Sequence, residues 1–566
     1  MALQTTSRFF IQFIRLAGPF WFSENKATVR SLSLALLVLT LLQIAISVYI
    51  TIWSADLFDA LDQRSMPRLF TQVGLIVLIF IANIAITVTH LMVKRRIQLD
   101  WRGWLTDKLI GQWMHEGRHY LVTHIPGKHD NPDGRIAEDV RIATEYAIDL
   151  LHSLFYSALL LASFTRILWD LSGTINVNLG FMQIEIMGHL VWIAMIYAAS
   201  ASMLGWWIGR PLTKATDNRQ TVEANFRFSL VKARENSLAI ALIHGESHET
   251  PRFHRLFGDI VDAWNQQTKA WENIMLFSSG YSVLSMAFPI LVSAPRYILG
   301  SITLGALMQS AQSFQHMVSA LSWPVDNMGR VAEWRASVER VLGLVSALEQ
   351  LEKEIAKPDP HRIHLVKKDQ SVLRFKNLCL SRLDGIVCIQ SLNEEIKAGE
   401  RVLIAGNAYT GNKLFKAMAG LWPWGEGSIE LPDDEPMFFM PPRPFLPTGR
   451  LRSAICYPLS SKDFKQDDLE YALNLVGVGD LIAQLDEVAD WEKTLEREQQ
   501  QRLGLARVIL QKPKWIMMQE AFDSLDPEGE IDMIRIIERK LPESTLLSIT
   551  KQPTIQSMHS RRIVLN

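Results

Sequence analysis

Residues Gly406 to Gly411 have the glycine spacing of a phosphate-binding loop. An apolar, β-rich run at 402–404 leads into this turn, and a helix-forming run follows it. The order of strand, glycine-bounded loop and helix aims backbone N–H groups at the phosphates of a nucleotide. The chemistry that this stretch suggests is binding of ATP with magnesium, followed by phosphoryl transfer.

The residues that would do this chemistry are only partly present. The motif G-x-x-x-x-G-K-[ST] needs a lysine to neutralise phosphate charge and a hydroxyl group to ligate magnesium. Here Tyr409 replaces an internal glycine, Asn412 occupies the lysine position, and Lys413 and Leu414 replace the hydroxyl pair. Lys413 can serve as the phosphate lysine only in a loop of the wrong length. The pattern predicts a nucleotide-binding fold but puts the binding of ATP and Mg²⁺ in doubt.

The chain that positions this loop is too long for a single core. With 566 residues it should form at least two domains. Long apolar runs alternate with charged loops up to about residue 330, and the remainder has the composition of a soluble α/β domain. We expect a transmembrane domain over 1–345, a linker over 346–371 and a nucleotide-binding domain over 372–566. The net charge of -1 gives no reason to expect a nucleic-acid partner.

Six segments are long and apolar enough to cross a lipid bilayer as helices, which takes roughly 20 residues each. They lie near 31–53, 69–93, 149–169, 188–208, 274–295 and 303–323. Gly280, Pro289 and Pro295 interrupt the fifth segment, and glutamines punctuate the sixth. Arginine and lysine are abundant after the second and fourth segments and absent from 171–187. This bias predicts that both termini are cytosolic.

Four segments carry a resemblance to a known family. They are TIWSADLFDAL (51–61), QLDWRGWLTD (98–107), DNPDGRIAEDV (130–140) and EANFRFSLVKARENSLAIALIHGE (223–246). They resemble the membrane domain of the SbmA/BacA-like and YddA-like bacterial transporters, which are related to ABC subfamily D. The resemblance implies an ABC exporter-type half-transporter of the bacterial inner membrane that forms a homodimer, or a heterodimer with an active half-transporter. Its cargo would be a peptide or a small hydrophilic solute, and 130–139 and 223–246 would couple the two domains.

Residues 372–566 resemble an ABC ATPase, and this resemblance assigns the other positions of the site. The stretch 495–526 covers the signature helix, the Walker B strand and the D-loop. In the Walker B pair Gln519 replaces the magnesium-ordering aspartate, whereas Glu520 retains the catalytic glutamate. An amide is a poorer ligand for a hard cation than a carboxylate. Asp526 of the D-loop is also retained.

The remaining positions of the ATPase pattern are substituted. Glu496 and Glu498 stand where the signature serine and glycine would contact the γ-phosphate. At an effective dielectric of about 20, each close pair of like charges costs on the order of kcal/mol. The Q-loop glutamine becomes Pro442, and the switch histidine becomes Lys551. The pattern leaves open whether this chain is a working ATPase.

These departures favour a half-transporter whose ATP hydrolysis is impaired. One alternative is a working ATP-driven transporter in which Lys413 or Lys551 supplies displaced positive charge, and another is a non-transporting scaffold or the inactive half of a heterodimer. A transporter that does not hydrolyse ATP would run on the proton gradient. Ionisable residues in or near the spans are candidates for that coupling: Asp149, His152, Arg166, Asp170, Glu185, His189, Glu272 and His316.

Overall fold

The chain forms two compact units. The computed structural model describes residues 2–125, 131–178, 183–356, 362–381, 387–433, 435–550 and 556–565. Unit 1 comprises Met1–Gly111 and Lys128–Ser346, and unit 2 comprises Gln112–Gly127 and Ala347–Asn566. Unit 2 therefore includes part of the connection between the second and third predicted spans, in addition to the C-terminal residues.

Helices dominate the chain up to residue 356. The longer ones are Ala2–Ala17, Lys26–Asp62, Met66–Met114, Val140–Ser172, His189–Glu235, Glu246–Ile298, Leu304–Asp326 and Met328–Ala356. Shorter helices include Arg118–Leu121, Pro132–Gly134, the π-helix Arg135–Asp139 and Ser237–Leu242. Two strands, Thr174–Asn178 and Gln183–Met187, pair antiparallel within the connection predicted to face outward. The helix Met328–Ala356 extends into the predicted linker over 346–371, so part of this linker is helical.

Five helical stretches in the described part of the chain are long and apolar enough to cross a membrane. They are Lys26–Asp62, Met66–His124, Pro132–Ser172, His189–Glu235 and Glu246–Ile298, and they contain the first five predicted spans. Pro289 and Pro295 lie inside the last of them without ending it. Membrane helices tolerate proline where neighbouring groups satisfy the freed backbone. The sixth predicted span forms the helix Leu304–Asp326, which is not one of these five.

The helix Leu304–Asp326 packs closely against its neighbour within unit 1. A Cβ atom at Gly305 would lie 2.2 Å from the carbonyl oxygen of Ala55, so only glycine fits there. Gln312 donates a hydrogen bond to Ser54 Oγ over 2.8 Å. Small residues and interhelical hydrogen bonds hold helices together in lipid, where burial of apolar surface contributes little. A glutamine that lowers the hydropathy of the predicted sixth span therefore makes a helix–helix contact.

Unit 2 contains a five-stranded parallel sheet. Its strands, in spatial order, are Arg561–Val564, Arg401–Ala405, Thr545–Ile549, Trp515–Gln519 and Met437–Met440. In this register Gln519 lies opposite Ile549, which lies opposite Ile404. The carboxyl ends of the three central strands therefore lie level with one another. Ligands of open parallel sheets bind beyond this edge.

A second sheet and several helices also belong to unit 2. The sheet has the order His364–Lys368, Gly425–Pro432, Val372–Ser381 and Val387–Lys397. The α-helices of six or more residues after residue 400 are Ala408–Met418, Leu451–Cys456, Gln466–Leu475, Arg497–Gln511 and Pro527–Lys540. The strand Trp515–Gln519 is buried along its whole length and contributes side chains to two separate apolar clusters. Such burial on both faces explains why parallel strands are continuous apolar runs in a sequence.

Candidate nucleotide site

The sequence predicts a glycine-bounded loop from Gly406 to Gly411. This prediction is wrong for most of the stretch, because a helix begins within it. This loop helix spans Ala408–Met418. The side chain of Asn407 accepts a hydrogen bond from the Tyr409 amide over 3.0 Å, and the Asn407 carbonyl accepts one from the Gly411 amide over 2.9 Å. Asparagine is a preferred N-cap residue, and tyrosine removes the backbone freedom that an internal glycine would give. The substitutions within the motif thus explain its helical conformation.

A small cavity remains where the phosphates of a nucleotide would lie. Its volume is about 10 Å³. Its lining includes Gly406, Gly411, Gln519 and Glu520, so the structure brings these four predicted site residues together. A Cβ atom at Gly411 would lie 2.6 Å from Ile549 Cγ2, which leaves no free space on that side. A cavity of this volume holds about one water molecule.

Lys413 does not line this cavity. Its side chain is buried, and Nζ lies 4.4 Å from the ring centroid of Tyr409 and 4.7 Å from that of Trp422. Attraction between a cation and an aromatic face is stronger when both are desolvated. Next to it, Oδ1 of Asn412 is buried and has no hydrogen-bond partner among the described residues. The structure therefore holds the nearest lysine of the motif between two aromatic rings.

The Walker B position closes the other side of the cavity. Gln519 ends the strand Trp515–Gln519 and is 6% exposed. Glu520 follows with a φ of 44°, a left-handed conformation that is uncommon outside glycine, and its amide donates to the Ile549 carbonyl over 2.8 Å. Backbone conformations of this kind concentrate at functional sites. The retained glutamate thus lies at the cavity, beside an amide rather than a second carboxylate.

The acidic residues of the predicted signature segment lie at the start of the helix Arg497–Gln511. The amide of Glu496 donates to Gln499 Oε1 over 3.1 Å, and Glu498 forms an ion pair with Arg502 over 2.8 Å. Carboxylates near a helix N-terminus are stabilised by the helix dipole. This N-terminus therefore carries acidic side chains of its own at the position where the signature segment of an ABC ATPase contacts phosphate.

The two other predicted site residues that the structure describes, Asp526 and Pro442, make hydrogen bonds within unit 2. Asp526 caps the helix Pro527–Lys540, and its Oδ1 accepts a hydrogen bond from the Gly529 amide over 2.9 Å. The backbone carbonyl of Pro442 accepts a hydrogen bond from Gln501 Nε2 over 3.0 Å. Neither residue lines the small cavity. The predicted switch residue, Lys551, lies outside the described residues.

Gln501 connects three parts of the site, although sequence reasoning missed it. It is fully buried, and besides Pro442 its Nε2 donates to Asp523 Oδ1 over 2.5 Å. Its Oε1 accepts a hydrogen bond from the Ser524 amide over 3.1 Å. The signal in the sequence is a run of three glutamines at 499–501, at the start of a helix whose later residues are largely apolar. One amide side chain thus joins the Q-loop position to the D-loop.

Arg507, six residues further along the same helix, holds the segment that follows the Q-loop position. Its guanidinium donates to the carbonyl oxygens of Phe445 over 2.7 Å and Ala454 over 2.6 Å. Burial lowers the pKa of Arg507 to about 10, so the group stays protonated at neutral pH. A buried cation that is satisfied by two backbone carbonyls fixes the course of this segment.

A second feature that sequence reasoning missed is a contact between the segment 112–125 and the loop helix, both within unit 2. The ring of His124 lies 5.6 Å from that of Trp422 and 5.5 Å from that of Trp424. Lys416 of the loop helix lies over the ring of Tyr120, with Nζ 5.4 Å from its centroid. Trp422 is also the ring that Lys413 contacts. The same tryptophan therefore touches both the phosphate-loop lysine and the segment from the membrane half of the sequence.

The comparisons with known proteins agree with this arrangement. Residues 19–298 match the family described as ABC transporter transmembrane region 2. The chain is 29% identical over 559 residues to the Inner membrane ABC transporter ATP-binding protein YddA of Escherichia coli, a match that covers 97% of this chain and 96% of that protein. It is 25% identical over 618 residues to ABC transporter D family member 2, chloroplastic, of Arabidopsis thaliana, covering 97% and 85%. The chain is therefore similar to ABC half-transporters related to subfamily D.

The fold of the chain is that of an ABC exporter. A solved structure of a bacterial Atm1-family ABC exporter with ATP bound matches it with a TM-score of 0.69 and 16% identity, over 95% of this chain and 94% of that one. This likeness confirms the predicted fold class, a helical membrane region followed by an α/β nucleotide-binding domain. The apolar helices agree with a multi-pass membrane protein. The resemblance to the SbmA/BacA-like transporters stays a prediction.

The name of a relative, an ATP-binding protein, implies a site for ATP with magnesium in a protein of this fold. In this structure the residues present do not fit a magnesium triphosphate. Gln519 offers an amide to the cation, and Lys413 is buried against the rings of Tyr409 and Trp422.

Proposed function

We propose that this half-transporter moves a peptide or a small hydrophilic solute across the bacterial inner membrane as a dimer, and that its own nucleotide site does not hydrolyse ATP. The observation that carries the proposal is the phosphate loop. It forms the first turn of the loop helix, and the space beneath it measures about 10 Å³. The membrane helices, by contrast, retain the arrangement of an exporter. Both termini are assigned to the cytosol.

The chemistry of phosphoryl transfer explains why these changes matter together. Enzymes of this type act by positioning the phosphates and by neutralising the charge that develops on them. Lysine and magnesium supply most of that charge, and the structure offers Asn412 and Gln519 at their positions. Glu496 and Glu498 add negative charge where a second copy would meet the γ-phosphate. Each of these substitutions weakens the electrostatic stabilisation of the phosphates. Restoring the usual residue at one position therefore leaves the loss at the other positions uncorrected.

A working ATPase would need a different conformation of the loop helix. Lys413 would have to leave the rings of Tyr409 and Trp422, and the capping bond from Asn407 would have to break. The alternative of an inactive half of a heterodimer requires no such change, because an active partner would supply a complete phosphate loop. A homodimer without hydrolysis requires another source of energy, and the proton gradient across the membrane is the one we propose.

Uptake measurements on reconstituted vesicles test the proposal. The probe is a fluorescently labelled oligopeptide added outside vesicles that contain the purified homodimer in either orientation. We expect an imposed pH gradient to drive uptake and a protonophore to abolish it, whereas ATP with magnesium has no effect on the rate. Vesicles without protein give the background. Uptake that requires ATP and ignores the protonophore would contradict the proposal.

A further inference from the structure

Two histidines from neighbouring helices of unit 1 contact each other directly. Nε2 of His90, on the helix Met66–Met114, lies 2.8 Å from Nε2 of His152, on the helix Val140–Ser172. The ring centroids are 4.4 Å apart. His90 is buried, and His152 lines a largely apolar cavity of about 440 Å³. Both residues belong to segments that the sequence predicts to cross the membrane, where ionisable groups are costly and usually functional.

An ion cluster lies one helical turn from the histidine pair. Lys94 follows His90 by four residues, and Asp149 precedes His152 by three, so each helix presents both residues on one face. Nζ of Lys94 lies 3.1 Å from Asp149 Oδ1, and Arg330 contacts Asp149 Oδ2 over 3.0 Å. Two cations therefore share one carboxylate beside the pair.

The other groups around the pair are mostly neutral. Gln98 donates to Asp149 Oδ1 over 2.9 Å, and the ring of Tyr156 lies at 29° to that of His152 with centroids 6.3 Å apart. The helix Lys26–Asp62 contributes the hydroxyl groups of Ser33 and Thr40 to the cavity that His152 lines. A charge on the histidine pair therefore interacts electrostatically mainly with Lys94, Asp149 and Arg330.

The hydrogen bond between the two rings limits how many protons they hold. A neutral imidazole has one N–H donor and one acceptor nitrogen, so a direct bond needs one ring to donate and the other to accept. One additional proton can bind at an outer nitrogen and leaves this bond intact. A second proton places two N–H groups opposite each other and breaks it. The pair thus takes up one proton with its hydrogen bond intact, and its positive charge then competes with Lys94 and Arg330 for Asp149, which disturbs the contact between the two helices.

We propose that the His90–His152 pair, backed by Asp149, is a proton-binding site of the membrane unit whose occupancy changes the packing of its two helices. Nothing in the ATPase pattern assigns such a site. The inference deepens the proton-driven part of the proposed function, on which its role in transport rests. Proton binding itself is measured without any cargo, so a failure of the site and a failure of proton-driven transport are distinguishable.

Nitrogen NMR of the full-length protein in lipid nanodiscs tests the inference. The histidines carry ¹⁵N, the pH is varied from 5 to 8.5, and the signals are assigned with His90→Gln and His152→Gln. We expect the two rings to titrate as a coupled pair that gains one proton. Each substitution should shift the titration midpoint of the remaining histidine by about one pH unit or more. Each variant removes one ring of the pair and reports on the other. One folded variant is therefore enough for the test if the other variant does not fold.

His316→Gln is the matched control. This histidine also lies on a membrane helix, but its ring stacks on Phe164, with centroids 4.3 Å apart, rather than on another histidine. Its substitution should leave the titration of the pair unchanged. Independent titration of His90 and His152, or no proton uptake by either between pH 5 and 8.5, would overturn the assignment. Deuterium exchange of the two helices should rise at pH 5.5 in the wild type, and an unchanged rate would refute the packing change.

Discussion

A variant that carries Tyr409→Gly, Asn412→Lys, Lys413→Ser and Gln519→Asp is expected to bind Mg-ATP about tenfold more tightly than the wild type, or better. The first and third changes remove both partners of the contact between Lys413 and the Tyr409 ring, and serine restores a hydroxyl ligand for magnesium. The new lysine and carboxylate supply the charges that phosphate and magnesium require. A hydrogen bond to a charged group contributes about 1.5–3 kcal/mol, and about 1.4 kcal/mol corresponds to a factor of ten. Equilibrium binding of radiolabelled ATP to the purified dimer measures the change.

The matched control for this variant is Asn412→Lys alone. That single change leaves the loop helix, the aromatic contacts of Lys413 and the amide of Gln519 in place. We therefore expect its affinity for Mg-ATP to stay within about twofold of the wild type, a difference well below 1 kcal/mol. Tight binding by the single variant would show that one residue, rather than the conformation of the loop, limits the site.

Trp422→Ala is expected to destabilise unit 2 by about 3–5 kcal/mol, the usual cost of truncating a buried aromatic side chain. Trp422 is buried, donates its Nε1–H to the Ser381 carbonyl over 3.0 Å, and contacts both Lys413 and His124. Its loss removes all of these contacts at once. The corresponding fall in the melting temperature is about 6–20 °C for a unit of this size. Thermal unfolding of the full chain, followed by circular dichroism, measures it.

Trp424→Ala controls for the loss of a tryptophan as such. Trp424 is only partly buried and also contacts His124, with ring centroids 5.5 Å apart. We expect a smaller fall in melting temperature for this variant than for Trp422→Ala. Deuterium exchange in 118–125 should increase in both variants, because both lose a ring against His124. Equal stability of the two variants would contradict the central position that we assign to Trp422.

The sequence predicts the elements of this fold more securely than the conformation of its site. Apolar runs of about twenty residues and the short apolar strands are local signals, and the first five predicted spans and the strand at 402–404 lie where the pattern places them. The sequence predicts a helix after Gly411, but not its start at Ala408, because the glycine spacing of the motif was given more weight than its local chemistry. Asn407 is a good helix cap, and Tyr409 and Lys413 stabilise the turn that follows it.

Contacts between distant parts of the chain carried no such local signal. His124 and Trp422 are 298 positions apart, and nothing in either neighbourhood indicates the other. His90 is a single histidine in an apolar helix, which on its own suggests a satisfied core residue, and only its distance to His152 gives it a different meaning. Gln501 could be found only as part of a polar run in a helix. The site residues that pair across the fold therefore had to come from the structure.

The most direct test of the proposed function is the rate of magnesium-dependent ATP hydrolysis by the purified homodimer in lipid, compared with Glu520→Gln. Glu520 is the retained residue that would orient the attacking water, and glutamine preserves its size while removing its charge. We predict that the two proteins hydrolyse ATP at the same background rate. A wild-type rate above background that falls in Glu520→Gln would contradict the proposal that this phosphate loop no longer serves an ATPase.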